Sequence, residues 1–299
     1  MIEAQGVTKQ YDGHKALDNV NLSVPKGSIY GLLGPNGAGK TSFIRILNQI
    51  TGPDTGSILL DGVPLQPGDI ARIGYLPEER GLYKKMKVGE QLLYLAGLKG
   101  LAPNEAKARA MGWFERFEIT DWWNKKVEEL SKGMAQKVQF ISTVIHQPEL
   151  LIFDEPFSGF DPINTELIKN EIRRLNEEGA TVIFSTHRME SVEEICNHIG
   201  LINSGKVVIE GDLLKIRSAH KSNTYRIITE HPIAQEQLSS CEVKEFTEQH
   251  MGFEYVLRCS EAPAELVTQL LNSGELKHYE EVLPSVNDIF IQLVQNSNE

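Results

Sequence analysis

The chain has 299 residues, 40% of them hydrophobic and 24% charged, the proportions of a globular protein longer than one core usually organises. Its net charge of −11 and pI near 5.3 exclude the basic footprint of a nucleic-acid binder and a polybasic membrane anchor. The longest apolar runs, Ile29–Leu33 and Leu150–Phe153, fall far short of the ~20 residues of a spanning helix, so a membrane role calls for a partner.

The N-terminus, MIEAQGVTKQYDG, lacks the basic start and apolar centre of a signal peptide. Short strands are predicted over Leu17–Val24 and Ser28–Leu33, around the turn Pro25-Lys26-Gly27. A Gly-rich loop, a helix from about Thr41 to Asn48, and strands at Ser57–Leu60 and Ile73–Leu76 follow. From Met86 to about His146 the periodicity is helical, with Val88, Leu92 and Leu95 on one face and Met111, Phe114 and Phe117 on another. The strands Leu150–Phe153 and Thr181–Phe184 then flank a helix at Thr165–Glu178, and a hairpin follows at Ile199–Ile202 and Val207–Glu210. Buried apolar strands alternating with helices imply a parallel sheet covered on both faces.

After Asp212 the style changes. Short strands at Tyr225–Thr229 and Tyr255–Arg258 alternate with helices at Ala234–Ser239, Ala264–Asn272 and about Ser285–Val294, which reads as a separate α+β accessory domain. This tail carries −6 of the charge, against −5 for everything before it. The three cysteines, Cys196, Cys241 and Cys259, lie far apart without a CxxC, and read as reduced, partly buried thiols of a cytosolic protein.

Three constellations carry chemistry. Gly34-Pro35-Asn36-Gly37-Ala38-Gly39-Lys40-Thr41, followed by Ser42, fits G-x-x-x-x-G-K-[ST] between an apolar strand and a helix. Such a loop turns successive N–H groups, and the positive end of the helix, toward phosphate oxygens. Lys40 is expected at the β- and γ-phosphates and the Thr41 hydroxyl on Mg²⁺. The strand Leu150–Phe153 delivers Asp154 to the Mg²⁺ shell and Glu155 as general base toward the attacking water. His187 follows the strand Thr181–Phe184, at the carboxyl edge where ligands of open α/β sheets sit, and is expected to contact the γ-phosphate.

Leu130-Ser131-Lys132-Gly133-Met134, ending twenty residues before Asp154, resembles the signature LSGGQ of ABC ATPases. With the phosphate loop, LLIFDEP, Ser158-Gly159-Phe160-Asp161 and His187, the order is similar to that family across residues 1–212. The resemblance implies an α/β P-loop NTPase of ABC type, with a mixed sheet and a helical subdomain over about 86–147, followed by the small α+β domain of 213–299. It further implies an ATPase whose nucleotide domains pair head to tail, most simply as a homodimer. Ser131 and Gly133 then contact the γ-phosphate of the opposite subunit, Asp161 links the two sites, and Tyr11 stacks on adenine. Glu78 stands where the family usually has glutamine; it can ligate Mg²⁺ or orient water, but cannot donate as an amide does.

The stretch LPEERGLYKKMKV, the form LSKGM and the ending Leu283-Pro284-Ser285-Val286-Asn287-Asp288-Ile289-Phe290 are similar to sodium-exporter-type, NatA-like ATP-binding subunits. That resemblance implies an ATP- and Mg²⁺-dependent motor of an exporter, cytoplasmic and peripheral on the inner face of the membrane, working with a separate multi-spanning permease. The cargo is not legible: sodium, drugs and other small solutes all fit. The competing readings are a soluble ABC ATPase acting on nucleic acid or the ribosome, and a regulatory ATPase whose tail senses a ligand. Trp113, Trp122 and Trp123 read as packing of the helical subdomain before a docking surface, and Lys84, Lys85 and Lys87 equally as a solvated run or a partner contact.

Overall fold

Alternating buried and exposed residues, interrupted by bulges in the first strand, build the first layer. In Ile2–Tyr11 (β1) and His14–Val24 (β2), the residues Ile2, Ala4, Val7, Val20, Leu22 and Val24 are buried, and the strands pair antiparallel from Ile2–Val24 to Tyr11–His14. All five residues of Ile29–Leu33 (β3) are buried, and the chain continues through Lys40–Leu47 (α1) to Thr55–Leu60 (β4) and Val63–Pro64 (β5). β2, β1, β4 and β5 form one antiparallel sheet in that order. The computed structural model describes residues 1–79, 81–249 and 252–296, so Arg80 of the LPEERG stretch lies outside the described residues.

The second sheet takes its strands from the continuous apolar runs. Ile73–Leu76 (β6) leads into three helices, Val88–Leu98 (α2), Pro103–Arg116 (α3) and Lys132–Val144 (α4). Leu150–Asp154 (β7), Pro162–Glu177 (α5), Thr181–Thr186 (β8), Met189–Ile195 (α6), His198–Asn203 (β9) and Lys206–Asp212 (β10) follow. The order is β10-β9-β3-β8-β7-β6, with β10 antiparallel to β9 and the remaining neighbours parallel, so the sheet is mixed. Every residue of β3, β7 and β8 is buried, the signature of strands covered on both faces. Phe43, Ile44 and Leu47 of α1 join Leu17, Val20, Leu32, Ile58 and Ile152 in one core spanning both sheets.

The helical stretch is broken between Phe117 and Ser131, where only two 3₁₀ turns, Thr120–Trp122 and Val127–Glu129, are regular. Trp113 meets Phe117 and Phe140 edge to face, while Trp123 does the same with Phe114 and covers Gly89, so these rings are packing residues; Trp122 is half-buried. Lys84, Lys85 and Lys87 are exposed. α5 begins at Pro162 rather than Thr165, because Asp161 caps it and proline suits the first helical position.

Residues 1–213 form one unit and 214–299 a second. Beyond Leu213–Ala219 (α7), the second unit contains Thr224–Thr229 (β11), Cys241–Gln249 (β12), Gly252–Cys259 (β13), Ala264–Asn272 (α8), Leu276–Val282 (β14) and Val286–Asn296 (α9). Its strands pair antiparallel in the order β12-β13-β11-β14, around a core of Tyr225, Ile227, Tyr255, Leu257, Leu266 and Leu270. The segment expected as a helix over Ala234–Ser239 is only a 3₁₀ turn at Gln235–Leu238, since Pro232 and the short polar run give it too little to bury. Ser285 and Asp288 exchange capping hydrogen bonds at the start of α9: Ser285 N–H donates to Asp288 Oδ2 at 3.1 Å, and Asp288 N–H to Ser285 Oγ at 3.1 Å.

Only one of the three cysteines expected to be reduced is a free thiol. Cys241 and Cys259 stand opposite each other on β12 and β13, Cα–Cα 4.2 Å, and form a disulfide; antiparallel register joins residues that are 18 apart in sequence. Cys196 is free and buried, and burial pushes its thiol well above the usual range. No described helix is long and apolar enough to cross a membrane.

Candidate functional site

Parallel pairing brings three sequence-distant segments to one edge. β3, β8 and β7 are neighbours in register, Leu33 opposite Thr186 and Asp154 opposite Ser185, so the loop after Leu33, the acids at Asp154–Glu155 and the pair Thr186–His187 leave the sheet side by side. β6 adjoins β7, Leu76 opposite Phe153, and adds Glu78 to the same edge.

Backbone packing shapes the loop. Gly34 (φ 143°) and Gly39 (φ 116°) lie in the region that favours glycine, and a Cβ would overlap the carbonyl oxygen of Ile202 at Gly34 and that of Ala16 at Gly39. Gly39 thereby starts α1 without a side-chain cap, leaving its first N–H groups to an anion. Lys40 is nearly buried and donates to the carbonyl oxygens of Gly34 at 2.6 Å and Pro35 at 3.1 Å. Burial lowers its pKa, while Glu155, Asp154 and Glu78 pull the other way. Thr41 is exposed and Ser42 half-buried at the helix start. A cavity of about 380 Å³ is lined by Tyr11, His14, Asn36, Gly37, Thr41 and Arg45, among others of this loop, so Tyr11 belongs to the phosphate-loop face. His14 and Arg45 were not singled out from the sequence; Arg45, one turn into the helix after Lys40, was the readable one.

The acid pair is held differently. Asp154 ends β7 and is 6% exposed; burial raises its pKa, the Ser185 hydroxyl lowers it, and Glu78 and Glu155 raise it further. Glu155 has φ 49°, and its N–H donates to Ser185 O at 2.9 Å. Its Oε1 accepts from His187 N–H at 2.9 Å and lies 2.6 Å from His187 Nδ1, while Oε2 accepts from the Thr186 hydroxyl at 3.1 Å. His187 is therefore joined to the second acid directly, a contact its place in the sequence did not reveal. The nearby excess of carboxylates over Lys40 fits a divalent cation. Among the described residues no group of three or more His, Cys, Asp or Glu can hold a metal. Thr41 with Asp154 instead suits Mg²⁺, which takes few protein ligands and completes its shell with phosphate and water.

The signature residues lie elsewhere on the same unit. Ser131 caps α4, its Oγ accepting from Met134 N–H at 3.3 Å, and is exposed. Gly133 has nothing within 4 Å of a built Cβ, so no contact inside this chain requires a glycine there. Asp161 caps α5, accepting from Asn164 N–H at 2.9 Å, and that bond together with the Asn164 side chain lowers its pKa. Glu78 is exposed, and with Glu79, Lys132, Gln136 and Ser158 lines a separate cavity of about 380 Å³. None of Ser131, Gly133 or Asp161 lines the Tyr11 cavity.

Residues 17–158 match the ABC transporter family, and residues 211–294 match the C-terminal domain of DrrA1-3-like ATP-binding proteins. The chain is 43% identical over 295 residues to YhaQ, an uncharacterized ABC transporter ATP-binding protein of Bacillus subtilis (strain 168), covering 98% of each. It is 38% identical over 218 residues to the ABC transporter ATP-binding protein NatA of the same organism, covering 72% of this chain and 89% of that one. A dimeric post-hydrolysis structure of the ATP-binding cassette MJ0796, bound to ADP and Pi, superposes with TM-score 0.65 at 25% identity, over 71% of this chain and 99% of that one. With the phosphate loop, acid pair and histidine assembled on one sheet edge, the chain belongs to the ABC transporter ATP-binding proteins and is an ATPase of that family, extended by a DrrA-type C-terminal domain.

Proposed function

We propose that this chain is the motor of an exporter, peripheral on the cytoplasmic face of a membrane, working as a pair of copies on a separate multi-spanning permease. The observation that carries the reading is the meeting of the phosphate loop, Asp154–Glu155 and Thr186–His187 at one edge of the sheet. Lys40 and the N–H groups opening α1 bind the β- and γ-phosphates, and Tyr11 stacks on the base. Thr41 and Asp154, with Glu78 nearby, hold Mg²⁺, which neutralises phosphate charge when bound. Glu155 takes a proton from the attacking water, and His187 contacts the γ-phosphate.

Ser131 and Gly133 serve the nucleotide held by the other copy, with Asp161 between the sites. Gly133 lies in the first turn of α4, right after the Ser131 cap, and the open space around it leaves room for an approach from outside the chain. Two copies close because each γ-phosphate is gripped from both sides, and they separate once hydrolysis removes that bridge.

An apolar groove of about 330 Å³, lined by Ile50, Tyr75, Leu95, Leu98 and His146 among others, supports the permease reading as a place for the contact. Ile50 (61% exposed) and Leu98 (66%) present apolar surface at its rim, suited to a short amphipathic helix from the permease. The NatA likeness and the LPEERG–LSKGM form support a sodium-exporter-type assignment, with small-solute or drug efflux as the wider class. The nucleic-acid or ribosome reading is not favoured, since the relatives are transport subunits and the chain carries −11.

The test is purification of the full chain from detergent-solubilised membranes of its own cell. A stoichiometric multi-spanning partner, lost on Leu98→Asp while nucleotide binding persists, supports the reading. Ribosomes or nucleic acid in place of that partner contradict it.

A further inference from the structure

Glu155 is fixed almost wholly by the end of β8. Its N–H donates to Ser185 O, its Oε1 accepts from the His187 N–H and lies 2.6 Å from His187 Nδ1, and its Oε2 accepts from the Thr186 hydroxyl at 3.1 Å. Thr186 is 1% exposed, and its Oγ1 also accepts from Arg188 N–H at 3.0 Å. A hydroxyl has one proton. Because the backbone of Arg188 occupies Oγ1 as an acceptor, that proton is directed to Glu155 Oε2.

We propose that Thr186 is a positioning residue for hydrolysis, its hydroxyl orienting Glu155 Oε2 as the oxygen that receives the proton of the attacking water. The inference rests on Glu155 as general base. Oε1 accepts from the His187 N–H and lies against His187 Nδ1, whereas Oε2 has only the Thr186 hydroxyl and a remaining lone pair. In the step, a water O–H bond breaks and its proton goes to Oε2. The freed electron pair forms the bond to the γ-phosphorus, and the bond to the ADP oxygen breaks, with ADP leaving. Without the Thr186 hydroxyl, Oε2 loses the donor that sets its direction while Oε1 stays anchored at His187, and that loss of alignment lowers the rate without weakening phosphate binding. The competing reading is a local turn, in which the Thr186–Arg188 bond merely satisfies the backbone.

Thr186→Val keeps the β-branched shape of a buried strand residue and removes only the hydroxyl. Steady-state ATPase of the full chain is measured for wild type, Thr186→Val, Thr186→Ser and Glu155→Gln, with nucleotide affinity measured for each as the check on folding. The expected result is a kcat about tenfold lower for Thr186→Val, KM for ATP within about twofold, and Thr186→Ser close to wild type. An unchanged kcat in Thr186→Val beside an inactive Glu155→Gln overturns the role of Thr186 alone. So does a serine variant as slow as the valine one, or a loss that falls on KM. An active Glu155→Gln overturns both this role and the general-base reading beneath it.

Discussion

Residues 1–213 and 214–299 are constrained by different things. In the first unit, the proposed site rests on backbone contacts that leave no room: Gly39 lies against the Ala16 carbonyl, and Lys40 sits nearly buried between the loop carbonyls and the acids. In the second, a four-stranded sheet and α8 enclose a small core, joined by a disulfide and edged with acidic residues. Its requirements are those of packing, which many apolar residues meet equally well. Damage to the first unit should therefore appear in nucleotide handling, and damage to the second in stability.

The largest effect should come from Gly39→Val. It places a β-branched side chain at φ 116° against a backbone carbonyl, and nucleotide affinity should fall at least about 1000-fold. Titration with a fluorescent nucleotide reads this directly, and affinity near wild type would mean that the loop is not the binding element. In the second unit, Leu257→Ala at a fully buried core position should cost about 2–5 kcal/mol in denaturant unfolding of that unit. The ATPase rate of the folded protein should stay within about twofold. A parallel collapse of turnover would erase the distinction between the units.

A smaller effect is expected from His146. Burial, with Lys99 and Arg109 nearby, pushes this histidine down to about 4, although its contact with the Ile73 carbonyl pulls upward. A depressed folded value means that the unfolded chain binds more protons, so stability is complete above about pH 6.5 and declines as pH falls toward 4, by up to about 3 kcal/mol. Denaturation of wild type and His146→Gln across this window should show a shallower decline in the variant. Parallel curves would place the acid sensitivity elsewhere.

How much was legible follows the same division. That the glycine loop, the end of the strand LLIFD and His187 share one sheet edge was readable, because each closes a buried apolar strand of a parallel sheet. The direct bond between His187 and Glu155 was not, since it depends on β7 and β8 being neighbours. Thr186 carried a faint signal, a hydroxyl residue immediately before the histidine. β1 was missed because Gln5, Gly6 and its bulged register interrupt the alternation. β12 was missed because Glu242, Lys244, Glu245 and Glu248 make an edge strand read as a solvated loop, and with it went the pairing of Cys241 and Cys259. Ser285 and Asp288, by contrast, announce α9 through a spacing visible in sequence.

The central claim is that the acid held by β8 performs the chemistry while the phosphate loop performs the binding. Its most direct test is single-turnover ATP hydrolysis by the full-length Glu155→Gln chain, alongside its ATP affinity. The account predicts hydrolysis slowed by about 100-fold or more with affinity preserved. Hydrolysis at the wild-type rate, or loss of binding together with rate, would contradict it.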